Sequence, residues 1–182
     1  MNNDKDFPSP PLLDELLGEW RDALDQDYLA YRNHVHRLFH LTRALRGPTC
    51  DTEDRLIATA AVFHDIGIWS HKTFDYLDPS AALASAWLED QGEANAAPVV
   101  RAMILNHHKV RRIGTRHDLV EAFRRADWMD VSQGLLTFGL PRSLYTEIKA
   151  AYPYAGFHTL LLKLGAQNTL RHPLRPMPMM RW

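Results

Sequence analysis

The sequence predicts an all-α protein, on three observations. Apolar residues recur at helical spacing through most of the chain, alternating β-branched runs of strand length are missing, and helix start and stop residues punctuate the periodic stretches. Helices packed on helices are the architecture that such a pattern can bury. At 182 residues the chain is slightly above the usual size of one domain. One core over residues 11–170 is therefore expected, preceded by a flexible, polar, proline-bearing segment over 1–10. A tail over 171–182 follows, whose three prolines forbid a continued helix.

In chain order, the apolar periodicity predicts helices over 11–26, 28–46, 52–66, 79–91, 94–109, 117–132, 141–151 and 157–170. Thr52 and Pro79-Ser80 read as helix openings, Gly47-Pro48 and Gly92 as stops, and Gly67 marks the end of the third helix.

Composition narrows the partners. With 46% hydrophobic and 24% charged residues and a formal net charge of -1, the chain has no global attraction for nucleic acid or anionic membranes, so anion recognition must be local. No duplex nucleic acid is expected as a partner. No apolar run approaches the roughly 18 residues that span a bilayer, and the opening MNNDKDFPSPP lacks the basic and hydrophobic parts of a signal peptide, which predicts a cytoplasmic protein without a membrane partner. The single cysteine, Cys50, excludes a disulfide framework and a multi-thiolate zinc site, leaving histidine and carboxylate as metal ligands. Met177, Met179, Met180 and Trp182 in the tail either pack on a second subunit or belong to a loose terminus.

Ten histidines are many for this length, and helical angles sort them. In the second helix Tyr28, Tyr31, Val35, Leu38, Phe39, Thr42 and Leu45 form the apolar stripe. His34 lies at the edge of that stripe, whereas His36 and His40 fall opposite it with Arg32 and Arg43 and are expected on a solvated face. In the third helix His64 continues the buried row of Leu56, Ile57, Ala60 and Ala61; Asp65 follows it where Gly67 lets the helix stop, so both can reach one ion. In the helix over 117–132, Asp127 and Asp130 fall within the buried face of Leu119, Val120, Phe123 and Ala126. Buried carboxylates need a partner, which is either a cation or one of the neighbours Arg124 and Arg125. His107 extends the buried row Val100, Met103 and Ile104, while His108 turns about 100° away, toward the pocket rim. His107 is then either an active-site residue or a core histidine satisfied by a backbone carbonyl.

An isolated His34, the pair His64-Asp65 at a helix end and a distant Asp127 form a pattern that resembles the HD-domain superfamily of metal-dependent phosphohydrolases. The phrases YRNHVHR, VFHDIGIW, ILNHHK and RRADWMDVS are each similar to the corresponding family segments, in order, over about residues 28–135. The resemblance implies a single-domain HD-domain helical bundle whose metal ligands are His34, His64, Asp65 and Asp127. Two imidazoles and two carboxylates suit manganese, iron, cobalt, nickel or zinc. The implied activity is hydrolysis of a phosphate ester or nucleotide by a metal-activated water.

His107 would serve as a proton donor, a holder of the water or a ligand to a second metal, and Asp130 would orient a ligand or act as a base. Arg37, Lys72 and Lys109, each near a ligand in sequence, are candidates for binding the phosphate or else ordinary surface charges. Arg111 and Arg112 are candidates for the mouth of the site. The di-iron oxygenases of that fold use further histidines after the His-Asp pair, where this chain has only His71. Two alternatives keep the helical site. One is a hydratase or lyase acting on a small nitrogen compound, as in cyanamide hydratases, if Trp69, Phe74, Tyr76 and Trp128 line the pocket; the other is a non-catalytic, metal-stabilised module that binds a nucleotide or a protein.

Overall fold

The computed structural model describes residues 7–115 and 118–180, and among these the regular structure is helical, with no strand. The helices are α1 (Pro11–Glu19), α2 (Arg21–Leu24), α3 (Tyr28–Arg46), α4 (Asp51–Phe63), α5 (Gly67–Ser70), α6 (Leu77–Asp90), α7 (Ala97–Asn106), α8 (Leu119–Val131), α9 (Arg142–Ala151) and α10 (Phe157–Arg171). No helix among the described residues is long and apolar enough to cross a membrane.

Several expected boundaries fall elsewhere. The helix expected over 11–26 breaks after Glu19, and Asp25 takes a positive φ of 46° before a 3-10 turn leads into α3. The helix expected over 94–109 begins as a 3-10 turn at Ala94–Ala96 and stops at Asn106, which leaves His107 and His108 in the following turn. α8 opens on Asp118, whose carboxylate accepts the N–H groups of Val120 and Glu121, a cap of the kind that contributes about 1 kcal/mol; the expected start at 117 lies outside the described residues. Gly67, expected as a stop, instead opens α5. A Cβ there would lie 2.7 Å from the Tyr76 carbonyl oxygen and 3.0 Å from Ser80 Oγ, so only glycine lets the two segments approach this closely.

The core runs from Leu13 to Phe157 and centres on α3, which packs most extensively on α8. Tyr31, Val35, Leu38 and Phe39 of α3 meet Ile57, Ala60 and Ala61 of α4 and Phe123 and Ala126 of α8 in this core. α3 is buried nearly all round, and this overturns the solvated face expected for His36 and His40: both are buried. The cover comes from far along the chain. Ser9 Oγ bonds His36 Nδ1 at 2.7 Å and His40 Nε2 at 3.0 Å, and the Tyr152 ring stacks on His36. The segment before α1 is thus pinned rather than loose from Phe7 onward, with the Tyr152 hydroxyl donating to the Phe7 carbonyl at 2.8 Å. Residues 1–6 lie outside the described residues.

Burial holds the pKa of His40 down at about 4. Between there and the ordinary value near 6.5 the unfolded chain binds a proton that the folded chain does not, so stability falls as pH drops through that window. The loss at His40 should approach about 3 kcal/mol by pH 4. Urea unfolding at pH 7 and pH 4.5 checks this: His40→Gln should lose less stability than wild type, and an unchanged pH slope would remove His40 as the source.

The tail folds back instead of hanging free. Asn168 donates to the carbonyls of Arg175 and Pro176, and Met179 is buried against Ile68, Tyr76 and Leu77. Trp182 lies outside the described residues.

Candidate metal centre

Four elements converge at one end of the core. His34 comes from the middle of α3, His64 and Asp65 from the turn after α4, His107 and His108 from the turn after α7, and Asp127 from α8. The Tyr31 hydroxyl donates to the Val62 carbonyl at 2.7 Å and so latches the end of α4 onto α3. His34, His64, Asp65, His107 and Asp127 are all buried. Nε2 of His34 lies 3.1 Å from Nε2 of His64 and 3.7 Å from Asp127 Oδ1; Nε2 of His64 lies 3.1 Å from Asp65 Oδ2.

The tautomers follow from what lies behind each ring. Nδ1 of His34 faces Asp130 Oδ2 at 2.7 Å, Nδ1 of His64 the Ala61 carbonyl at 2.7 Å, and Nδ1 of His107 the Ile104 carbonyl at 2.6 Å. Each of these partners accepts only, so each Nδ1 donates and each Nε2 turns a lone pair inward. Two lone pairs meeting at 3.1 Å cannot bond one another; a cation between them removes the conflict. Asp65 Oδ1 and His107 Nε2 are likewise buried without a hydrogen-bond partner. Among the described residues, three overlapping groups can hold a metal ion: His34, His64 and Asp127; His64, Asp65 and His107; and His107, His108 and Asp127.

Electrostatics agree with that chemistry. Burial lowers the His34 pKa to about 4, which keeps its ring neutral, and raises that of Asp127 to about 7. His108 is held low, chiefly by burial.

Asp130 stands behind the centre. Its carboxylate takes Nε and Nη2 of Arg37 in a fork at 2.7 and 2.8 Å as well as His34 Nδ1, and the guanidinium outweighs burial to keep it ionised. Fully buried and occupied on both oxygens, Asp130 is built to orient His34 rather than to act as a base. Arg37 must be corrected as a phosphate ligand: it is also fully buried, and Nη1 donates to the Tyr152 and Pro153 carbonyls, so no face remains for substrate. Arg124 and Arg125 do not pair with Asp127 or Asp130; both bind Glu121.

A cavity of about 1030 Å³ opens onto the centre, with Asp65, His108 and Asp127 in its lining. Phe74, Tyr76 and Trp128 of the expected aromatic set line it, whereas Trp69 donates Nε1 to Asp27 and lines an adjoining pocket that shares Phe74, Arg175 and Pro178 with this cavity. The expected cations fail to reach it. Lys72 lines that other pocket, and the carbonyl of Lys109 is engaged by Arg124 while its side chain is absent from the lining. Arg111 and Arg112 are exposed and also absent from the lining, and exposed His71 bonds Ser70 outside the centre.

Sequence reasoning missed Arg175 and the tail as parts of the site. Helical phase turns His108 toward the pocket rim, and it does line the cavity, its ring 4.0 Å from that of the buried His107. For Arg175 and the tail methionines no local signal existed. Compared with family models, with curated proteins and with solved structures, the chain finds no match.

Proposed function

We propose that this protein is a metal-dependent hydrolase of the HD type that its sequence resembles, cleaving a phosphate ester with water. The observation that carries the reading is the convergence of inward-turned Nε2 lone pairs and carboxylates beside an open cavity. A divalent transition ion such as manganese, iron, cobalt, nickel or zinc would lower the pKa of a water to about 7 and polarise a phosphoryl oxygen there.

The side chains divide the work. His34, His64, Asp65 and Asp127 are the ligands, and Asp130, locked by Arg37, fixes the ring of His34. Water's oxygen bonds to phosphorus as the ester P–O bond breaks; the attacking water sheds one proton and the departing alkoxide takes one. His108 is placed to relay it, since it lines the cavity, meets the Tyr76 hydroxyl at 2.5 Å and lies 3.8 Å from Asp127. Of the roles expected for His107, that of a ligand fits better than that of the donor: its ring is fully buried and Nε2 faces Asp65 Oδ1 at 3.4 Å. His108→Gln should therefore keep metal content and cost about 10²- to 10⁴-fold in turnover. His107→Gln should lower metal content as well. Elemental analysis and rates on both variants check this, and the reverse outcome returns the relay to His107.

The aromatic lining favours a second reading, the addition of water to a small uncharged nitrogen compound. A screen for phosphate and ammonia release with several metals separates the readings. Phosphate release is expected; ammonia alone would establish the second, and neither would leave a metal-stabilised binding module.

A further inference from the structure

The cavity beside the centre is unlike a nucleotide site. Phe74, Tyr76, Trp128 and Leu161 line it together with Met177 and Met179 of the tail. Asp65, Asp127 and His108 in its lining belong to the centre, and Arg175 is the only lysine or arginine there. A base and a ribose carry donors and acceptors along their whole length, and burying them against such walls leaves them unpaired. An apolar body gains from the same walls. The groove has the volume of sites that enclose whole small molecules, and it is open to solvent at Leu162, 75% exposed, and Leu174, 97% exposed.

We propose that the substrate is a phosphate monoester of a largely hydrophobic alcohol, its phosphate at the metal centre and its apolar body in the groove. The tail, folded back over residues 172–180, is the wall that selects it. The phosphate end of this assignment rests on the hydrolase reading above; the apolar end rests on the groove alone. Arg175, with a 73% exposed side chain 3.7 Å from Asp75, supplies a cation at the rim. Hydrolysis would release the free alcohol and inorganic phosphate, so the reaction that supplies the substrate is a phosphoryl transfer to a hydrophobic alcohol.

Alkyl phosphonates, whose C–P bond water does not cleave, test binding without turnover. Calorimetry on the manganese-loaded chain should show affinity rising about threefold to fourfold per methylene from butyl to octyl phosphonate, with AMP weaker than octyl phosphonate. Met177→Glu should weaken octyl phosphonate at least tenfold and flatten the chain-length trend. Leu174→Glu, at a position so exposed that folding does not depend on it, should weaken it in the same direction. Octyl phosphate and AMP are then compared for phosphate release. A chain-length trend without phosphate release from any ester keeps the groove assignment and removes the hydrolase reading. Affinity independent of chain length, or AMP bound as tightly as octyl phosphonate, overturns the inference even if phosphate is released.

Discussion

Replacing Arg37 by alanine should unfold the protein more readily without acting first on substrate affinity. The substitution strands the Asp130 carboxylate in a fully buried site, with His34 and the Tyr145 hydroxyl at 3.4 Å as its remaining partners. Removing one partner of such a pair costs about 3–5 kcal/mol, because the charge left behind cannot reach water. For a chain of this length that lowers the melting temperature by about 10 °C. Arg37→Lys keeps the charge but not the two-pronged geometry, so it should fall between the two. Pairing Arg37→Met with Asp130→Asn should recover part of the loss, since neither charge then remains. Thermal denaturation of the four proteins checks the series. A raised KM with unchanged melting temperature in Arg37→Ala would restore Arg37 to the substrate site.

Asp127→Ala should lose the metal altogether and with it the activity. Asp127 belongs to two of the three ligand groups, lies within 3.8 Å of both His34 and His108, and has no arginine or lysine partner among the described residues. A metal present at a hundred times its dissociation constant stabilises the folded state by about 2.7 kcal/mol. Manganese should therefore raise the wild-type melting temperature by about 5–10 °C and leave Asp127→Ala unmoved. His36→Ala and His40→Ala should be less stable, because both rings are buried, yet retain the metal, because both lie on the far side of α3 under Ser9 and Tyr152. Elemental analysis of the three variants decides. Wild-type metal content in Asp127→Ala would show that the carboxylate is not a ligand.

Hydrophobic periodicity alone was enough to place most of the helices and to turn His34, His64, Asp127 and Asp130 inward, because each of those residues shares a face with apolar neighbours on its own helix. Periodicity describes a helix relative to its own axis, however, and says nothing of what arrives to cover its other side. That is why His36 and His40 were expected in water and are buried: Ser9 and Tyr152, far from them in sequence, close the face. The same reason separates Arg37 from substrate, since the partner that claims it, Asp130, lies 93 residues away. His107 is buried while His108 lines the cavity, the split that helical phase gives for adjacent positions. The tail shows the largest gap. Its prolines do end the last helix, as the sequence implies, but its place beside the centre depends on contacts of Met179 with Ile68, Tyr76 and Leu77. The types of ligand and the faces they share are local properties, legible in one dimension; their partners, their access to solvent and the shape of the cavity arise between elements distant along the chain, and only the packed structure decides those.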